Sequence, residues 1–193
     1  MKPVFSYVVF GLLLLLAACT KRPSSCMLFP QGGSYCLQST REVPAFELQQ
    51  QIDFSLKGQQ EMMISQVEVD EEGMCMVGLT PFGQKLLQLR FDNESVKADL
   101  WPIRRLKPAF LLGMVQLSTW PAQSIQRGLS ASLQLEEAAA QRKLTKKGVL
   151  VMKVDYTRGL PPEGDMVVEF PELEVKMRIS TLENMDDPPL HSP

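Results

Sequence analysis

The sequence predicts a mainly β protein with a helical cover: a curved antiparallel sheet, or a partly open barrel, closed by two or more short helices. Three observations support this prediction. Apolar residues recur at every second position before residue 100, they recur at helical spacing in mid-chain, and the two-residue period returns after residue 149. Because strands and helices bury side chains with these different periods, the order is strands, helices, then strands again.

The first half of the chain is typical of an antiparallel meander. Strands are predicted at residues 46–56, 64–69, 75–79, 84–91 and 95–100. The first is the clearest, because Leu48, Ile52 and Phe54 fall on one face between polar neighbours. The acidic turn at 70–73 and the turn at 92–94 then join successive strands, as short polar turns do in hairpins.

Two helices are predicted between the two groups of strands. Residues 108–117 carry apolar side chains at helical spacing and begin with Pro108, which suits a first helical turn. Residues 120–129 form the second helix, with Pro121 near its start and Gly128 at its end. These helices are the available cover for the apolar face of a single sheet.

The last third of the chain returns to strands, at 149–156, 166–170 and 174–180. Residues 133–141 allow two interpretations: their Ala and Glu content favours a helix, whereas their place between hairpin-like segments favours a strand. A sheet of about eight strands must curl strongly or close. Its concave interior could hold an apolar ligand, and the many methionines, several alternating onto one sheet face, would make that interior pliable.

The amino terminus has the pattern of a bacterial lipoprotein. Lys2 and the apolar run at 8–16 are followed by small residues and Cys19. This pattern predicts a signal peptide over residues 1–18, since a membrane span would need about 20 apolar residues. We expect Cys19 to receive a diacylglyceryl group and a further chain such as palmitate, which together hold a protein firmly on a bilayer. Thr20 stands where lipoproteins of the enterobacterial inner membrane carry aspartate, which favours the periplasmic face of the outer membrane.

Composition divides the rest of the chain into three parts. Residues 19–34 are polar and contain Pro, Gly and Ser, which predicts a lipidated tether. Residues 35–183 carry the periodic patterns and form the β domain. Residues 184–193 are Pro-rich and predict a disordered tail.

Three cysteines follow the lipidation site. Cys26 with Cys36 would close a short disulfide loop, which the oxidising cell envelope permits. The third, Cys75, lies in a predicted strand, where it would pack as a small apolar residue. No metal is expected, because the cysteine spacing is unsuitable and the single histidine, His191, lies in the tail.

Charge and residue content make several functions improbable. The net charge is −2 and there is no basic block, so the chain lacks the electrostatic footprint of a nucleic-acid-binding protein. Acidic residues at 70–72 and 186–187 fall in a turn and in the tail, where solvated charges are usual. We find no nucleophile elbow, phosphate loop or histidine dyad, and therefore expect no enzyme activity, catalytic residue or cofactor.

Residues 78–89 resemble the strand–loop–strand of the LolB family, outer-membrane receptors that insert lipoproteins. The loop is Pro81-Phe82-Gly83, matching a Pro-apolar-Gly loop in that family. Further stretches occupy the places of LolB's short helix, of its strand ending in Tyr and of the strands that close its barrel: 120–129, 148–156, 160–161 and 174–179. The chain also resembles an uncharacterised gamma-proteobacterial lipoprotein family that is often encoded in aryl-polyene clusters beside a LolA-like carrier.

The resemblance implies a LolB-like barrel whose apolar cavity, closed by helices, holds acyl chains. It also implies a LolA-like periplasmic carrier as a partner. Phe82 would correspond to the protruding apolar residue that helps push cargo into the membrane. Judged from its residues alone, the loop is slightly better explained as a plain hairpin turn with a half-buried aromatic ring, and the resemblance makes the two interpretations equal.

Two functions are consistent with these features. The preferred one is an outer-membrane lipoprotein that binds acylated lipid or lipoprotein cargo and assists its delivery to the outer membrane. The alternative is a structural or adaptor lipoprotein whose barrel is packed solid and whose partner is another envelope protein.

Overall fold

The computed structural model describes residues 25–56, 59–100 and 107–182. The predicted signal peptide, Cys19 and the predicted tail lie outside the described residues. Those three expectations therefore stay predictions.

The described residues form twelve strands and two α-helices. The strands are β1 (Cys26–Leu28), β2 (Ser34–Cys36), β3 (Phe46–Leu56), β4 (Gln59–Val69), β5 (Met74–Leu79), β6 (Lys85–Phe91), β7 (Val96–Leu100), β8 (Gln134–Ala138), β9 (Gln141–Lys146), β10 (Val149–Arg158), β11 (Asp165–Phe170) and β12 (Val175–Thr181). The helices are α1 (Pro108–Thr119) and α2 (Ala122–Gly128), and two short 3-10 turns lie at Thr40–Glu42 and Pro171–Leu173. The predicted fold class, mainly β with short helices, is confirmed.

Ten strands form one antiparallel sheet in the order β7-β6-β5-β4-β3-β12-β11-β10-β9-β8. This order joins two meanders, β3 to β7 and β8 to β12, through the pairing of β3 with β12. The edge strands β7 and β8 do not pair with each other, so the sheet in the described part of the chain is open and not a closed barrel. Its size is consistent with the predicted curvature, because large twisted sheets curl.

The hairpin of β3 and β4 at the centre of the sheet shows how the sequence sorts its faces. The two strands have eleven residues each and pair along their whole length. Leu48 and Ile52 of β3 are buried, as are Met63 and Val67 of β4. These residues are spaced by even numbers and so share one face, while the intervening residues are mostly polar and more exposed. The buried face is therefore the one that the helices cover.

Helix α1 lies between the sheet and the hairpin of β1 and β2. It carries no charged residue, and Leu111, Leu112 and Leu117 are all buried. The hairpin approaches it closely, since a Cβ atom on Gly113 would clash with the Sδ of Met27. A helix that is apolar on all sides needs cover on more than one side. The order of layers is consequently sheet, helix, hairpin.

The hairpin of β1 and β2 corrects the predicted tether at residues 19–34. The described part of the predicted tether, residues 25–34, belongs to the folded domain. Its Met27 and Phe29 side chains are only 2% and 3% exposed. The Gly, Ser and Pro content predicted a linker, but the apolar triplet that includes Leu28 packs two of its side chains into the core. The folded domain therefore begins earlier than the expected residue 35.

The ambiguous residues 133–141 are strand, not helix. They contain β8 and the first residue of β9, a strand that the sequence analysis did not identify. Leu144 of β9 is 2% exposed, but the charged residues around it in 142–146 leave too few apolar positions to show a period. Local helix propensity is a weak preference, and strand pairing with β10 overrides it here.

Candidate ligand cavity and exposed loop

A small cavity lies between α1 and the sheet face that it covers. Its volume is about 40 Å³, room for about three water-sized spheres. The apolar lining residues are Leu48, Ile52, Val67, Met76, Leu111, Met114, Val115, Met166, Val168, Met177 and Ile179. The cavity is thus apolar, as expected for an acyl-binding interior, but a whole acyl chain would require it to widen.

Four of the side chains that line the cavity belong to methionines. Met76, Met166 and Met177 approach the cavity from three strands of the sheet, and Met114 approaches from α1. Methionine side chains are unbranched, with three rotatable bonds, so they change shape at lower cost than Leu or Ile. The expected methionine-lined interior is therefore present at the cavity.

Two serine hydroxyls in the cavity wall lack partners. Ser65 of β4 is 0% exposed and Ser118 of α1 is 2% exposed, and neither Oγ atom has a hydrogen-bond partner among the described residues. Gln50, which lies opposite Ser65 in the β3–β4 ladder, lines the same cavity. Buried polar groups are normally paired, so this part of the wall favours a polar group inside the cavity.

This group of polar residues was not predicted, although the sequence carries a signal for it. Gln50 stands between Leu48 and Ile52 on the buried face of β3, and Ser65 stands between Met63 and Val67 on that of β4. A polar residue at a position reserved for core side chains is the exception that marks a ligand site or a bound water.

The C-terminal end of α1 is fixed to the sheet by hydrogen bonds. Arg142 of β9 donates from Nη1 to the Leu117 carbonyl at 2.7 Å, and the Tyr156 hydroxyl of β10 donates to the Ser118 carbonyl at 2.9 Å. Burial raises the pKa of Tyr156, which keeps that hydroxyl protonated. Arg142 is 5% exposed and also pairs with Glu137. A cation at this position stabilises the negative end of the helix dipole.

The two ends of α1 are held differently. Near the C-terminal end, Gln116 accepts hydrogen bonds from the Tyr35 hydroxyl and the Gln38 amide, both at 2.8 Å. At the N-terminal end, Phe110 packs on Phe170 with ring centres 5.2 Å apart, and no side chain caps the helix. The C-terminal end is therefore held by directional hydrogen bonds, and the N-terminal end by apolar packing, which is non-directional.

We predict that Arg142→Ala lowers the free energy of unfolding by about 2–3 kcal/mol. The substitution leaves the Leu117 carbonyl without its donor, and it removes a buried cation from Glu137. The expected effect is below that of a fully buried pair, because the Glu137 side chain is 40% exposed. Urea denaturation measures the stability, and hydrogen exchange should show faster opening of α1.

Lys143→Ala is the matched control, since Lys143 is adjacent in β9 but only half-buried. We expect that control to change stability by less than about 0.5 kcal/mol. Equal effects of the two substitutions would contradict the anchoring role of Arg142.

The loop between β5 and β6 presents Phe82 to solvent. Thr80 donates from its backbone N–H to the Gln84 carbonyl at 2.8 Å, and Gly83 donates to the Thr80 carbonyl at 2.9 Å. Gly83 has φ +80°, a backbone conformation that glycine adopts without strain. Phe82 is 93% exposed, and Pro81 is exposed too. Of the two interpretations of this loop, the structure shows the protruding ring and not the half-buried one.

Two of the three cysteines that follow Cys19 are paired. Cys26 and Cys36 form a disulfide between β1 and β2, the pair named from the sequence. Cys75 is a free, half-buried thiol of β5, and burial together with the charge of Glu68 raises its pKa. The disulfide closes the hairpin that covers α1.

Metal-binding clusters and membrane-spanning helices are both absent from the described ranges. These ranges contain no group of His, Cys, Asp and Glu side chains that could hold a metal ion. None of the helices there combines the length and the apolar character that a membrane crossing requires.

The central and C-terminal parts of the chain match a protein family model. A family model described as "Protein of unknown function (DUF3261)" matches residues 47–183. No curated protein matches the chain. The matched region runs from the second residue of β3 through β12, so it includes all of the ten-stranded sheet except Phe46, and both helices, but not the disulfide hairpin.

Proposed function

This chain belongs to the DUF3261 family, and we propose that it is an outer-membrane lipoprotein that binds acylated lipid or lipoprotein cargo under α1 and assists its delivery to the outer membrane. The observation that carries this proposal is the apolar cavity between α1 and the open sheet. The proposed lipid anchor on Cys19 would keep this cavity within reach of a bilayer.

Cargo entry under this proposal requires α1 to move. At about 40 Å³ the cavity holds only a fragment of an acyl chain. The C-terminal end of α1 is fixed by Arg142 and Tyr156, so opening would occur at the N-terminal end, where Phe110 contacts Phe170. Methionine side chains would then move aside as the chain enters.

The position of the Phe82 loop fits this direction of opening. Strand pairing places Phe170, at the end of β11, at the same end of the sheet as Leu56, because both pair with Val175 of β12. The loop that follows Leu79 of β5 also lies toward this end, since β4 runs from Gln59 at that end and pairs with β5. The opening and the exposed ring would therefore face the membrane together.

We predict that Phe82→Ser weakens binding of the soluble, unlipidated protein to phospholipid vesicles by about tenfold. A ring that is 93% exposed has no core contacts to lose, so stability should stay within about 0.5 kcal/mol. Vesicle co-sedimentation and thermal denaturation measure the two quantities.

Leu160→Ser is the matched control, since Leu160 is 73% exposed in the loop between β10 and β11 at the opposite end of the sheet. It should leave vesicle binding unchanged. If both substitutions weakened binding equally, Phe82 would not be a specific membrane contact.

The binding test uses a soluble Cys19→Ala form in which Trp101→Phe leaves Trp120 as the sole tryptophan. Trp120 directly follows Thr119, a residue of the cavity wall. A brominated acyl chain bound under α1 should quench its fluorescence saturably, and an unbrominated chain should reverse the quenching. Val115→Phe, which fills the cavity, should abolish quenching, while Val149→Phe at an exposed position should not.

The alternative, an adaptor lipoprotein with a packed interior and a protein partner, is favoured by the small volume of the cavity. Absence of quenching, with no lipid found by mass spectrometry of the purified protein, would select it. A LolA-like periplasmic carrier is the partner proposed for the transport function, and cross-linking in cells would identify it.

A further inference from the structure

We propose that the cavity under α1 selects acyl chains that carry an uncharged ester or amide carbonyl, and that Ser65 and Ser118 donate hydrogen bonds to that carbonyl. The proposal rests on the acyl-binding function above and names the part of the cargo that the cavity recognises. It concerns two residues on facing walls, one on the sheet and one on the helix.

The hydroxyls of Ser65 and Ser118 are buried in the cavity wall. Ser65 shares the covered face of β4 with Met63 and Val67, and Ser118 lies in the last turn of α1. Both residues line the cavity, and neither Oγ atom has a partner among the described residues. Alanine would fit either position without desolvating a hydroxyl, so serine at both is unfavourable unless something in the cavity accepts the hydrogen bonds.

The charge of the cavity wall determines which ligand group fits. None of the described residues that line the cavity is acidic or basic. Arg142, the buried cation at the end of α1, is occupied by Glu137 and by the Leu117 carbonyl. A carboxylate or phosphate would therefore be buried without a counter-ion, which is strongly unfavourable. The ligand group that fits is polar and neutral.

The hydrogen-bonding capacity of a carbonyl group matches that of the two serines. Each serine supplies one O–H donor, and a carbonyl oxygen has two lone pairs. One carbonyl oxygen therefore has a lone pair for each of the two hydroxyls that line this cavity. The volume of about 40 Å³ also suits a water molecule, which needs two or more polar partners. An ester carbonyl oxygen can accept the same hydrogen bonds as a water oxygen.

The test measures how tightly the soluble Cys19→Ala protein binds a long-chain fatty acid methyl ester, the matching free acid and the matching alkane, each by competition with a fluorescent acyl probe. The ester should bind best. Ser65→Ala and Ser118→Ala should each reduce its advantage over the alkane by about fivefold, with alkane binding unchanged. Ser124→Ala, a buried serine of α2 that bonds Glu42 outside the cavity, is the matched control and should keep the full advantage.

A second measurement needs no variant. The infrared band of an isotope-labelled ester carbonyl should shift to lower frequency on binding, as it does on accepting hydrogen bonds. A triacylated lipopeptide and a phosphatidylethanolamine carry the same ester chemistry, so whichever displaces the probe identifies the natural source of the carbonyl. Displacement by neither would overturn the proposal.

Two further results would overturn it: equal binding of ester and alkane, or an ester preference that both serine variants retain. Either would mean that the hydroxyls bind only water. These failures are distinct from failure of the acyl-binding function itself, in which none of the three probes would bind the unsubstituted protein.

Discussion

Replacing Trp120 with alanine is expected to lower the free energy of unfolding by about 3–5 kcal/mol. Trp120 is 0% exposed at the junction of α1 and α2, and its ring meets that of Phe46 edge-on with centres 6.0 Å apart. The substitution removes the largest fully buried side chain among the described residues and leaves a void that the helix and the sheet cannot both move to fill. Urea denaturation followed by circular dichroism measures the loss.

Trp120→Phe is the informative companion, because it keeps an aromatic ring beside Phe46. We expect it to cost clearly less than the alanine substitution, since a smaller void remains. Leu160→Ala, at a position 73% exposed, should stay within about 0.5 kcal/mol of the unsubstituted protein. A loss for Trp120→Ala no larger than that of Leu160→Ala would contradict the placement of this ring in the core.

Removing the disulfide by the double substitution of Cys26 and Cys36 to alanine is expected to lower the free energy of unfolding by about 2–4 kcal/mol. The two cysteines are separated by 10 positions, and their bond restricts the unfolded chain over that stretch. The effect should spread to α1, because the hairpin carries Met27 and Tyr35 onto the helix. Denaturation with and without reductant measures it.

The reductant supplies an internal control for this second prediction. It should destabilise the unsubstituted protein and leave the double variant unchanged. Cys75→Ala should keep full sensitivity to reductant, since Cys75 is a free thiol of β5. If reductant destabilised the double variant too, the stabilising effect could not be assigned to the bond between Cys26 and Cys36.

The sheet was predictable from the sequence because its inner face is apolar and its outer face is polar. Alternation along residues 46–56 identified β3, and the same alternation identified β12. Strand β9 was not predicted because Arg142 occupies a core position, where its burial depends on Glu137 and on the Leu117 carbonyl of α1. No local pattern reports such long-range partners.

The candidate site was less predictable than the sheet. The exposure of Phe82 depends on whether other parts of the fold lie close to its loop. The sequence does not show this, so it left two interpretations open. The cavity arises from the fit of α1 against several strands that are far apart in sequence. Ser65 and Ser118 lie 53 positions apart by number, and only the fold brings both to one cavity.

The disulfide also determines how a mechanical load would pass through the domain. A pull on the chain before residue 25 reaches Cys26 and crosses the covalent bond to Cys36, so the intervening hairpin carries no tension. The load then continues along the chain to Phe46, the first residue of β3, which lies between β4 and β12. It would pull β3 along its own axis and shear many hydrogen bonds simultaneously. A domain pulled by its N-terminus in this way would resist force far better than one in which the force separates an edge strand from the sheet one hydrogen bond at a time.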